Sequence, residues 1–178
     1  MMKSGRFSIV LLVVYVLLCV PDLVSAVPPS AAAACKISCT VANIVEWSEP
    51  SFPGIDLGNL TVKNKQAIGE TTLTLYTNGD VTITADNSNT AELSFGPHTL
   101  LTKYKLKYDG FAAKQTGSRP TAWCSFDTFL KEGTNIVHIP ADGAVEVILS
   151  VRASIKKIRP ENSGQYNATQ TLTACWKS

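Results

Sequence analysis

From residue 35 onward the chain alternates between apolar and polar positions. In CKISCTVANIVEW, Cys35, Ile37, Cys39, Val41, Val45 and Trp47 fall on one face, interrupted by Asn43, which predicts a half-buried strand over 35–47. A second extended piece is expected over 55–62, after the turn-rich SEPSFPG. TTLTLYTNGDVTITAD then sets Leu73, Leu75, Val81 and Ile83 among threonines on either side of Asn78-Gly79. That dipeptide suits the positive φ angles of a two-residue type I′ turn, so a hairpin is expected here. Further alternating runs follow at 91–95, 100–108, 121–123, 136–139, 144–153 and 165–176. Only SFDTFLKEG, residues 125–133, has helical character, with Ser125 as cap, Phe126, Phe129 and Leu130 facing inward and Gly133 as the stop. Closely spaced short strands rich in Thr, Val, Ile and Leu predict an all-β fold, an antiparallel β-sandwich with at most one short helix.

The closing run, QYNATQTLTACW, is the most informative of these. Tyr166, Ala168, Leu172, Ala174 and Trp176 share one face, while Asn167, Thr169, Thr171, Thr173 and Cys175 share the other. The first face suits a core and the second suits water, so the strand most simply closes its own domain. Cys175 is the exception on the wet face, and a disulfide would explain it.

The N-terminus reads as a secretory signal over residues 1–26: Lys3 and Arg6, a twelve-residue apolar run over 9–20, then Val24-Ser25-Ala26 for cleavage. The apolar run is short of the ~20 residues that a membrane span needs, so no stable span is expected after cleavage. VPPSAAAA, residues 27–34, reads as a flexible linker, and residues 35–178 as one domain. The whole chain carries 16 Lys+Arg against 14 Asp+Glu; losing Lys3, Arg6 and Asp22 with the signal leaves the charges almost balanced. A balanced chain has no electrostatic case for nucleic acid. The expected location is outside the cytoplasm: extracellular, at the cell surface or periplasmic.

Of the five cysteines, Cys19 falls within the signal. Cys35, Cys39, Cys124 and Cys175 are therefore read as disulfide candidates rather than metal ligands. On one strand Cys35 and Cys39 would lie about 13 Å apart, too far to bond each other. One is expected to join Cys175 and the other Cys124.

Catalytic signatures are absent from the sequence: no G-x-S-x-G elbow, no phosphate-binding glycine loop and no HExxH. His98 and His138 have no second ligand at metal-binding spacing. Asp86, Ser88, Thr90 and Glu92 alternate as in a calcium loop but lack its glycine and length, and read as a polar turn. The chain is read as a non-enzyme without cofactor or metal. TKYKLKY puts Lys103, Lys105 and Lys107 on one face, either as a contact for an acidic glycan or cell-wall polymer, or as lysines that guard an edge strand. Trp47, Trp123 and Trp176 are either a sugar-stacking platform or core and rim packing. Asn59-Leu60-Thr61 and Asn167-Ala168-Thr169 match the N-glycosylation acceptor pattern.

VILSVRASIKKIRPENSGQYNATQTLTACW resembles the end of the spore coat protein U-like domains of bacteria, and LTLYTNGDVTITADN and LLTKYKLKYDG resemble that family's central segments. The resemblance implies an immunoglobulin-like sandwich, related to chaperone-usher pilin subunits, that a neighbour's strand can complete. It implies a secreted structural or surface-assembly protein whose partner is a second copy or a related subunit. VPPSAAAA lacks the large alternating apolar residues of a donated strand, so any donation would fall to the segment from Cys35 to Trp47. A monomeric module binding glycan or cell wall is the alternative.

Overall fold

The computed structural model describes residues 31–110, 113, 121–139 and 143–177. The signal segment 1–26 and the first part of the 27–34 linker lie outside the described residues. The chain divides into two compact units, residues 1–40 and 41–178. Of the first, residues 31–40 are exposed and have no regular secondary structure. Among the described residues no helix is long and apolar enough to cross a membrane.

The second unit is all-β and antiparallel. Among the described residues its strands are β1 (Val45–Trp47), β2 (Gln66–Thr77), β3 (Val81–Ala85), β4 (Ser94–Phe95), β5 (His98–Thr99), β6 (Leu101–Asp109), β7 (Cys124–Ser125), β8 (Thr134–Ile136), β9 (Ala144–Ser154) and β10 (Leu172–Trp176). One sheet has the order β1-β2-β9-β6-β7, a second β10-β3-β8, and β4 and β5 form a small third ladder. β9 is the axis of the larger sheet: its residues pair with β2 from Gln66↔Ser154 to Tyr76↔Ala144 and with β6 from Leu101↔Ser154 to Asp109↔Glu146. Alternation sends Val145, Val147, Leu149, Val151 and Ala153 inward, where all are buried. The first four share one core with Leu75 of β2, Val81 and Ile83 of β3, Leu106 of β6 and Ile136 of β8, which packs the two sheets into an antiparallel β-sandwich. Fully burying one such side chain is worth about 1.5–3 kcal/mol.

Four local expectations give way to longer-range contacts. β2 and β3 do not form a hairpin, since β2 pairs with β1 and β9 while β3 pairs with β10 and β8, so Asn78-Gly79-Asp80 passes from one sheet to the other. Neither Asn78 nor Gly79 has a positive φ. Gly79 is needed for a different reason: a Cβ there would run into the Trp176 indole. Residues 125–133 make a turn rather than a helix. Leu130 takes a left-handed φ of 49°, and the Asn87 amide nitrogen donates to the carbonyls of Phe126 and Phe129, both at 2.8 Å. Phe129 and Leu130 are nonetheless buried as their pattern requires.

The expected strand over 35–47 is paired only at Val45–Trp47. Residues 55–62 form no ladder either. They belong to a strap whose Ile55 and Leu57 side chains occupy the space that a side chain at Gly69 of β2 would need.

If Gly79 serves to admit the indole, Gly79→Ala should lower the unfolding free energy by about 1–3 kcal/mol, and most of that loss should vanish in a Trp176→Ala background. Urea unfolding of the four proteins in that cycle checks this; a cost that stays undiminished once the indole is removed would return the glycine to a purely conformational role.

Candidate functional site

The two sheets differ in width, and the narrower one leaves a groove. β10 is the last strand of its sheet, with β3 on one side and, among the described residues, no strand on the other. The Asp86 amide donates to the Thr171 carbonyl and the Lys177 amide to the Asp80 carbonyl, so Thr171, Thr173, Cys175 and Lys177 turn their backbone groups toward β3. By the two-residue alternation of an antiparallel ladder, the N–H and C=O groups of Leu172, Ala174 and Trp176 face the open edge. Their side chains point into the sandwich, with Leu172 buried, whereas Thr173 and Cys175 are exposed. The face assignment read from the sequence holds over Leu172–Trp176, whereas residues 165–171, expected to belong to the same strand, lie outside it with Ala168 exposed, and β10 remains an edge strand.

Between the strap and residues 168–172, of which Leu172 begins β10, lies a cavity of about 360 Å³. Its walls are residues 47–57 on one side and 168–172 on the other, and its floor includes Leu73, Tyr104, Leu149 and Val151. A second cavity of about 880 Å³ continues between residues 55–60 and 162–167 and shares Ile55, Leu57 and Leu93 with the first. Trp47 and Phe52 pack edge to face at 5.5 Å at one end, and Phe95 and Tyr166 at 5.9 Å toward the other. In the wall, the Gln170 amide nitrogen donates to the carbonyls of Asp86 (2.9 Å) and Thr171 (3.1 Å), which fixes the amide. The Gln170 Oε1 is buried and has no partner among the described residues.

Tyr104 gives the floor its rigidity. Its ring packs 5.4 Å from that of Phe129, and its hydroxyl donates to the Ala91 carbonyl at 2.7 Å. Burial pushes its pKa from 10.0 up to about 12. Asp86, at the rim, is held below 3.8, first by the Ser88 amide, which donates to Oδ1 at 2.9 Å, and then by the Ser88 hydroxyl at Oδ2; burial opposes these and the Thr90 hydroxyl adds to them. Asp86, Ser88 and Thr90 thus satisfy one another in a local turn, and Glu92 donates its amide to the Asn89 carbonyl outside that set. Among the described residues no His, Cys, Asp and Glu group could hold a metal ion.

At the start of the domain Asn78 grips the incoming chain. Its Nδ2 donates to the Ala42 carbonyl (3.0 Å) and its Oδ1 accepts from the Ile44 amide (2.8 Å). N-terminal to that grip, Ile37 and Val41 are 90% and 82% exposed. The chain thus leaves the apolar positions of CKISCTV in water and an apolar groove without a strand. The position of this groove was not legible in the sequence, because it depends on the order of strands and not on any one segment.

The expected disulfide framework is absent among the described residues: Cys35, Cys39, Cys124 and Cys175 all carry free thiols. Within the domain, Cys124 lies on the wider sheet and packs against the core, while Cys175 faces outward from the narrower one, so these two do not share a face. Lys103, Lys105 and Lys107 lie on the outer face of β6, away from the groove. The three tryptophans are dispersed rather than forming a platform. Trp47 stands at the groove mouth, Trp176 covers Gly79, and Trp123 lies 4.7 Å from the Arg152 guanidinium. His98 is in β5, and His138 donates its amide to Asp80.

Fold and site together define an antiparallel β-sandwich with an open lateral groove and an unpaired edge strand. No protein-family model matches this chain, and no curated protein sequence matches it.

Because the folded state holds Tyr104 neutral, the stability due to that shift should be complete below pH 10 and be lost as the pH rises through about 12. Absorbance titration of the phenols should show one delayed ionisation that is missing in Tyr104→Phe. That variant, which leaves the Ala91 carbonyl without its donor, should lose about 1 kcal/mol near neutral pH.

Proposed function

We propose that this protein is an exported structural subunit that assembles by strand complementation, residues 35–41 of one copy entering the groove of the next. The observation that carries the reading is the coincidence of an unpaired β10 edge with an exposed segment of matching pattern. Cys35, Ile37, Cys39 and Val41 would face the groove floor, and Lys36, Ser38 and Thr40 would face water. Main-chain hydrogen bonds to Leu172, Ala174 and Trp176 would supply affinity, and the floor would supply register. Burying Ile37 and Val41 would contribute about 1.5–3 kcal/mol each.

The donating segment precedes the Asn78 grip, while the accepting edge is the C-terminal strand. Such a contact joins two different surfaces and repeats without closing on a two-fold axis, which favours filaments over dimers. The resemblance to spore coat protein U-like and pilin domains agrees with this reading, as does the signal-like N-terminus.

Solution mass of the mature protein, refolded at high concentration and then diluted, tests it. Discrete multimers that persist on dilution are expected, and Ile37→Asp should reduce them to monomer while changing the unfolding free energy of the subunit by no more than about 0.5 kcal/mol. A wild-type protein that stays monomeric at every concentration, or multimers indifferent to Ile37→Asp, would sink the proposal.

A further inference from the structure

We propose that the outer face of the five-stranded sheet binds an acidic polysaccharide through Lys103, Lys105, Lys107 and Arg152. Thr102, Tyr104, Leu106 and Tyr108 are buried on the inner side of β6, which commits the three lysines to the outer side at intervals of about 6.7 Å. Across the ladder Lys103 stands opposite Arg152, Lys105 opposite Ser150 and Lys107 opposite Ile148, so no carboxylate faces any of them on β9. Two cations directly opposite each other repel, and a structure tolerates that more readily where an anion is to be shared. Lys103 also lies inside the sheet, between Arg152 and Ser125, where protection of an edge has no purpose.

The acids of this face lie at its margins: Glu70, across Ser150 from Lys105, accepts from the Ser150 hydroxyl at 2.8 Å, and Asp109 and Glu146 oppose each other beside Lys107, at the end of the ladder away from Lys103 and Arg152. The one ion pair among the described residues is Arg159 with Glu161, outside this sheet. Arg152 is held with its guanidinium 4.7 Å from the Trp123 ring centroid, which orders a planar fork suited to a carboxylate.

Ile68, beside Arg152 on β2, and Leu101, two residues before Lys103, are 53% and 54% exposed. They offer apolar surface next to the charges. A row of cations with apolar flanks fits a chain of sugar rings bearing carboxylates. Nucleic acid fits less well, because the chain as a whole is nearly balanced in charge, with 16 Lys+Arg against 14 Asp+Glu.

Retention of the full mature chain on immobilised polygalacturonate, with its fully methyl-esterified form as the uncharged control, tests this. The protein should bind the acid polymer at low salt, elute as salt rises, and ignore the ester. The combined change Lys103→Gln, Lys105→Gln, Lys107→Gln and Arg152→Gln should weaken binding on the order of tenfold or more, while Lys156→Gln with Lys157→Gln, exposed lysines outside the sheet, should leave it unchanged. Lys105→Gln alone, read beside its unfolding midpoint, should give a partial loss without destabilisation and guards against misfolding of the combined variant. Absence of binding, equal retention on the ester, equal loss in the Lys156 and Lys157 variant, or tighter binding to duplex DNA would each overturn the proposal.

Discussion

The whole architecture depends on a mismatch of width. Among the described residues five strands on one side of the sandwich meet three on the other, and the inward residues of β9 and β6 present more apolar floor than β10, β3 and β8 can roof. The strap through Ile55 and Leu57 covers part of the deficit, and Gly69 makes room for it. What remains uncovered is the groove, bounded by a strand whose outer hydrogen-bonding groups have no partner among the described residues. An exposed edge of this kind is normally blunted by charge, proline or a bulge, and Leu172–Trp176 has none of these along its length.

Periodicity read the faces of the strands well and their partners poorly. Alternation in 100–108, 144–153 and 172–176 identified the buried side chains of β6, β9 and β10, because face is a local property with period two. Pairing is not local. Asn78-Gly79 carries the composition of a tight hairpin, yet the long ladder between β2 and β9 outweighs a two-residue turn and sends β3 to the opposite sheet. The same limit applies to 35–47: its pattern says which residues need burial but not that only Val45–Trp47 find a ladder partner.

Chemistry at single positions was the hardest to anticipate. Four cysteines suggested two bridges, from Cys35 and Cys39 to Cys124 and Cys175, yet all four are free thiols, with Cys124 and Cys175 on opposite sheets. Arg152 gave no signal in the sequence, and only the register that puts it beside Lys103 turns a three-lysine pattern into a four-cation band. That band and the groove lie on different surfaces of the domain, so a subunit could be joined to its neighbours and still present the band to a polymer.

The arch from β2 to β3 has a consequence for the order of events during folding. Gln66 has no ladder partner until Ser154 is available, and Val81, which can pair with Ile136 first, completes its pairing only with Trp176. The larger sheet contains two short ladders between consecutive strands, β1 with β2 and β6 with β7, but the long β2–β9 and β3–β10 ladders join distant segments, and closing such long loops before any contact rewards them is slow. Completion of both sheets therefore waits on the segments that supply β9 and β10, however early the shorter ladders form.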